Sequence, residues 1–104
     1  MVNPWAGEVE LVIDGQPRVL KLTLGALAEL EAELQTGTLV ELVERFESGA
    51  CSSRDVLALV VAGRWGGGAS VTSRDLLSAD IAGGPVAAAR AAAELLARAF
   101  TVPG

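Results

Sequence analysis

The strongest nucleophile in the chain is the single thiol of Cys51, which lies directly before a predicted helix. A helix N-terminus favours the thiolate because its partial positive charge stabilises an anion. Nucleophilic catalysis also needs a base, and the chain contains no histidine. A single cysteine cannot form an internal disulfide, which is typical of a reducing compartment. We therefore interpret Cys51 as an inert thiol, with a Cys51-dependent enzyme as an alternative.

Two other patterns could bind ions, and both favour a structural interpretation. The triple glycine Gly66–Gly68 follows a helix, whereas phosphate-binding glycines lead into a helix and have a lysine nearby. We predict a linker or flexible loop there. Glu29 and Glu33 share one helix face, but a single turn of carboxylates is normally a solvated surface. We therefore predict no catalytic, cofactor-binding or metal-binding residues.

Large aromatic side chains are the best candidates for contacting a partner, and the chain has only two Trp and two Phe. Trp65 ends a predicted helix, where it either closes the core or is exposed as an anchor for a partner. Phe46 and Phe100 are expected in the core. We name Trp65 and Phe100 as candidate partner-binding residues beside that core interpretation.

Composition limits the classes of function. At 104 residues the chain fits one domain, and its formal net charge of −5 makes nucleic acid a poor partner. No stretch approaches the roughly 18–20 apolar residues that cross a bilayer, and the N-terminus lacks the pattern of a signal peptide. We therefore expect a soluble cytoplasmic protein with no membrane partner and no cofactor.

A β-hairpin is predicted at the N-terminus. Residues 8–13 alternate apolar and polar, and Asp14-Gly15 is a strong signal for a two-residue turn. The return strand is expected over about 18–22, with Glu8 opposite Lys21. Pro17 cannot donate to a ladder and is expected at the turn or on an edge.

Helices are predicted over the rest of the chain from helical spacing of apolar residues and from capping residues. The expected caps are Thr23, Thr38, Ser52 or Ser53, and Thr72 or Ser73. Pro85 suits the start of the last helix, whose apolar bulk is expected from Val86, Leu95, Leu96 and Phe100. The predicted fold class is α+β, an N-terminal β-hairpin packed on a small bundle of four to five short helices. The chain is expected to form one domain over 1–104, with a hairpin at about 8–22 and helices at about 24–35, 39–47, 54–65, 73–79 and 85–100.

Five motifs occur in order along nearly the whole chain. They are Gly7-Glu8…Asp14-Gly15, Leu22-Thr-Leu-Gly-Ala-Leu-Ala-Glu-Leu-Glu31, Arg45-Phe-Glu-Ser-Gly49, Gly63-Arg-Trp-Gly-Gly-Gly68 and Leu95-Leu-Ala-Arg-Ala-Phe100. In this succession the chain resembles the tail-assembly-chaperone family of gene transfer agents. These are small tail proteins of alphaproteobacterial gene transfer agents, also described as phage tail tube proteins.

The resemblance implies a non-enzymatic role in building the tail of a phage-like gene transfer agent. The implied partner is the tape-measure protein, the tail tube protein or both, with a possible homo-oligomer. The implied function is a chaperone that binds the tape-measure protein during tail tube assembly in the bacterial cytoplasm. The alternative is a structural tail component, such as a tube, connector or terminator subunit, retained in the particle.

Overall fold

The computed structural model describes residues 7–33 and 38–100, which form an antiparallel hairpin followed by five helices. The strands are β1 (Val9–Ile13) and β2 (Gln16–Leu20). The helices are α1 (Leu24–Glu33), α2 (Leu39–Ser48), α3 (Ser53–Gly66), α4 (Ser73–Leu77) and α5 (Gly84–Ala99). The predicted α+β fold class is confirmed. Residues 34 and 35, which the sequence assigns to the first helix, lie outside the described residues.

The hairpin turns at Asp14 and Gly15, as the sequence predicts. Both residues have a positive φ, 53° and 79°, which a tight primed turn requires. Because the turn has two residues, Ile13 pairs directly with Gln16, and Val9 pairs with Leu20. The return strand therefore begins and ends two residues earlier than predicted.

The outer edge of β1 is covered by residues from the far end of the chain. The amide of Asp14 donates to the carbonyl of Asp80 over 2.7 Å, and that of Ala82 donates to Val12 over 3.1 Å. The Asp14 carboxylate also accepts the amide of Asp80 at 2.8 Å. Because a two-stranded hairpin is marginal by itself, these bonds join it to the helical part of the fold.

The last turn of α3 lies against the backbone of β2 and of Lys21, the residue that follows the strand. A Cβ added at Gly66 would be 1.7 Å from the Lys21 carbonyl oxygen, and one at Gly67 would be 2.3 Å from that of Val19. The Lys21 amide donates to the Gly63 carbonyl at 3.0 Å. The linker interpretation of the triple glycine is therefore wrong for Gly66 and Gly67, because both lie in a close backbone contact that excludes any side chain.

Helix α3 is the centre of the core, since it contacts β2 and the helices α1, α4 and α5. Small residues of α5 let that helix approach both α3 and β1, as the alanine-rich sequence suggests. Leu95 and Leu96 are buried and Phe46 packs on the core, as expected. Phe100 is instead 51% exposed, so its core interpretation is wrong, and Val86 is 66% exposed. They lie on the side of α5, and at its end, where no other element covers them.

Helix starts follow the predicted caps. The hydroxyls of Thr23, Thr38, Ser52 and Thr72 each accept a backbone amide in the first turn of the helix that follows. In α3 the cap is reciprocal, because Asp55 accepts the Ser52 amide at 3.0 Å.

The same carboxylate joins α3 to α2. The Nε and Nη2 atoms of Arg45 each donate to one oxygen of Asp55 at 3.0 Å. The Arg45 guanidinium, through this paired bond, holds the pKa of the Asp55 carboxyl below its usual range, and the Ser52 amide adds to the effect. Asp55 is the one charged residue in the described core, and its charge is stabilised at neutral pH.

The close contact of α3 with β2 predicts a large effect of adding one methyl group. We expect Gly66→Ala to lower the free energy of unfolding by at least about 3 kcal/mol, the upper range for overpacking, because the new Cβ meets backbone. Gly25→Ala is the matched control. Gly25 is exposed, and its added Cβ would meet only the Thr23 hydroxyl, in an ordinary contact at 4.0 Å, so the substitution should raise stability by up to about 1 kcal/mol. Urea unfolding measures both, and equal effects would contradict the packing assignment.

Asp55 predicts a pH-dependent contribution to stability. Its pKa is lower in the folded than in the unfolded chain, so the stabilisation is present at neutral pH and is lost as pH falls through the folded pKa. At pH 7, Asp55→Asn should lower the free energy of unfolding by about 1–3 kcal/mol. The difference in the free energy of unfolding between Asp55→Asn and the parent protein should shrink below about pH 4.

Asp75→Asn is the control for this pH effect. Asp75 forms the same reciprocal cap in α4, but it is exposed and has no ion pair within the described residues. Its replacement should cost no more than about 1 kcal/mol, the usual value of a cap. If the loss of unfolding free energy in Asp55→Asn did not change with pH, the stabilisation would not come from the charge of Asp55.

Candidate protein-binding groove

An apolar groove of about 530 Å³ runs between α3, α4 and α5. Val56, Leu57 and Val60 of α3 form its floor, and Leu77 of α4 and Val86 and Ala89 of α5 form its sides. Volumes of 300–1,000 Å³ are typical of sites that take a ligand or several side chains of a partner. The groove is therefore the first place to expect a functional contact.

The groove is open because α4 is too short to cover it. Five residues make little more than one turn, so Leu76 turns towards the core while Leu77 stays 70% exposed. Val86 faces it from the first turn of α5. Two large apolar side chains exposed on opposite sides of one apolar groove indicate a contact surface.

Trp65 positions the wall that α4 forms. Its ring packs against the core, and its indole nitrogen donates to the Val71 carbonyl at 2.6 Å. The next residue, Thr72, begins α4 with a reciprocal cap to Asp75. After α4, Asp80 bonds to the hairpin turn. The two ends of this short segment are thus fixed to the rest of the fold.

The two candidate partner-binding residues lie away from this groove and apart from each other. Trp65 is half-buried beneath the segment that leads to α4, where its indole bond indicates a positioning role. Phe100 is exposed at the C-terminal end of α5, about 22 Å along the helix from Pro85 at the groove. Direct contact with a partner stays a prediction for both.

The sequence analysis did not predict that Leu77, Val86 and Cys51 line one groove. A five-residue helix cannot bury two adjacent leucines, so the pair Leu76-Leu77 carried a signal of exposure. Cys51 is partly exposed in the groove wall.

The chemistry available in the groove is that of binding. Apart from Cys51 and Ser53, the described residues that line it are apolar. Among the described residues, no group of three or more His, Cys, Asp and Glu side chains is placed to hold a metal ion. No helix in the described part of the chain is long and apolar enough to cross a membrane.

Two arrangements of charged side chains lie outside the groove. Arg64 lies near Arg18, and burial, followed by the Arg18 charge, lowers the pKa of the Arg64 guanidinium, which stays protonated at neutral pH. Arg98 pairs with Glu94 and donates to the Glu8 carbonyl, so the end of α5 is tied to the start of β1. Neither arrangement contains a nucleophile.

Comparison with known proteins identifies the family. The family model described as "phage tail tube protein, GTA-gp10" matches residues 6–102, nearly the entire chain. The chain belongs to this family. No curated protein and no solved structure matches it significantly. Membership in the tail tube protein family makes it a phage-type tail protein, and the family is structural rather than enzymatic. The finer assignment to assembly chaperones is not part of this match.

If the groove is a binding site, it should bind small apolar dyes, and this binding should depend on the side chains of its walls. Leu77→Ser and Val86→Ser should lower the fluorescence of an environment-sensitive apolar dye. Each should change the free energy of unfolding by less than about 0.5 kcal/mol, since both side chains are exposed. Leu24→Ser, at an exposed leucine outside the groove, is the control and should leave dye fluorescence unchanged. An equal loss with all three variants would contradict a specific groove.

Proposed function

We propose that this protein is a structural component of the tail of a phage-like gene transfer agent, retained in the mature particle. The observation that carries this proposal is the match of residues 6–102 to a family described as a tail tube protein. Its partners are then other tail proteins, including further copies of itself. It acts by binding alone.

Two properties of the surface support an assembly role. The groove between α3, α4 and α5 offers apolar area to a partner, and Leu77 and Val86 would be covered when that partner is bound. The groove lining has no charged side chain, so its contact with a protein carries no penalty for burying an unpaired charge.

A second candidate function is a chaperone that binds the tape-measure protein while the tail is assembled. The open apolar groove favours it, because such a groove can accept the apolar face of an amphipathic helix. A transient chaperone would leave the assembly before the particle is complete. The two functions therefore differ in whether the protein is present in the mature particle.

The decisive measurement is quantitative mass spectrometry of purified particles. A structural component should be present in many copies per particle, in a fixed ratio to the other tail proteins. Deletion of the gene should give particles without complete tails, and the wild-type gene should restore them.

Absence of the protein from purified particles would contradict the structural function. Co-purification with the tape-measure protein from assembly extracts, together with that absence, would instead support the chaperone.

A further inference from the structure

The net negative charge of this protein comes from one stretch of the chain. Residues 24–48, which contain α1 and α2, carry six glutamates and one arginine. Their formal net charge of −5 equals that of the whole chain, so the remaining residues are neutral in sum. The single cation, Arg45, is turned towards Asp55 and paired with it. The acidic stretch therefore presents its glutamates to solvent.

Helix α2 combines these glutamates with an exposed apolar side chain. Val40 is 65% exposed, and Glu44 and Glu47 lie one and two turns further along the same side of the helix. Neither glutamate forms an ion pair within the described residues. We call this side, made of Val40, Glu44 and Glu47, the acidic face.

Two exposed arginines lie on helix sides that also carry groove residues. No acidic side chain lines it. Arg54 of α3 precedes the groove residue Leu57 by three positions, and Arg74 of α4 precedes Leu77 by three, so each lies on the same helix side as a groove residue. Both arginines are exposed and have no ion pair among residues 7–33 and 38–100. The groove is thus apolar, with two unpaired cations beside it.

We propose that the acidic face of one copy binds in the groove of a second copy. Val40 would cover apolar groove area near Leu77 and Val86, and Glu44 and Glu47 would lie opposite Arg54 and Arg74. The inference rests on the proposed structural function, which requires many copies of this protein.

A symmetric dimer with two grooves face to face is the alternative arrangement, and electrostatic repulsion disfavours it. Two grooves facing each other would bring four arginines together, whereas the acidic face places a glutamate near each arginine. Because the two surfaces differ, every copy can bind one neighbour on each side. Such a heterologous contact propagates, and it closes into a ring or continues as a filament.

The first test reverses the charges and does not depend on which glutamate meets which arginine. One protein carries Arg54→Glu and Arg74→Glu, and the other carries Glu44→Arg and Glu47→Arg. Sedimentation velocity should show self-association of the parent protein. Each variant alone should associate at least about tenfold more weakly, since attraction becomes repulsion. An equal mixture should associate again to within about threefold of the parent protein, because each altered surface has its complement on the other variant.

A control variant separates this effect from net charge. Arg18→Glu combined with Arg90→Glu makes the same change in net charge as the double arginine variant, at exposed positions outside both surfaces: Arg18 lies on β2, and Arg90 lines a separate pocket beside β1. It should associate like the parent protein. The proposal is overturned if the parent stays monomeric up to millimolar concentration, if the mixture fails to associate, or if the control loses association equally.

The second test uses Cys51, the only cysteine, as a reporter in the groove wall. With Val40→Cys added, mild oxidation should produce a ladder of covalent dimers, trimers and larger species. Val40→Cys combined with Cys51→Ser should give no ladder. Glu10→Cys with native Cys51 is the exposed control and should also give none. Dimers without higher species, or a ladder from either control, would overturn the heterologous contact.

These results separate the inference from the proposed function. If mass spectrometry finds the protein in particles while the charge and cysteine tests fail, the structural function stands and this contact is wrong. If both tests succeed while the protein is absent from particles, the contact stands and the structural function is wrong.

Discussion

The close contact between α3 and the backbone of β2 is the constraint on which the rest of this structure depends. The Lys21 carbonyl, just after β2, occupies the space that a side chain would need at Gly66, and the Val19 carbonyl in β2 does so at Gly67. The Gly63 carbonyl accepts the Lys21 amide. Helix and strand are therefore joined by backbone atoms. Since α1, α4 and α5 also pack on α3, this contact sets the position of the hairpin relative to every one of these helices.

The two edges of the hairpin are protected in different ways, and both connect distant parts of the chain. The end of α3 covers the side of β2, while residues 80–82 bond to the free edge of β1. Exposed edges invite pairing with other chains, so covering them prevents uncontrolled association through the sheet. Contacts between copies are then directed to helical surfaces. In a protein that assembles with other tail proteins, this restriction favours a specific contact over aggregation.

The features predicted correctly from the sequence are local, and those predicted wrongly depend on distant residues. A turn at Asp14-Gly15 and a cap at Ser52 require only neighbours, so their residue types identify them. The triple glycine looks the same in sequence whether it forms a flexible loop or packs, through Gly66, against the backbone of Lys21, 45 positions earlier. Exposure of Val86 likewise depends on whether α4 reaches it. The groove was missed for this reason, since the bonds that place α4 join Trp65 to Val71 and Asp14 to Asp80.

The core and the groove use different residues, and this separation has a consequence for how the protein can function. The contact of α3 with β2 and the pair of Arg45 with Asp55 lie on the hairpin and α2 sides of α3, whereas the groove lies on the side of α4 and α5. A partner bound in the groove meets Leu77 and Val86, whose exposure shows that folding does not require their burial. The fold can therefore be complete before the partner arrives. A tail protein that must remain folded while it waits for its neighbours needs this order of events.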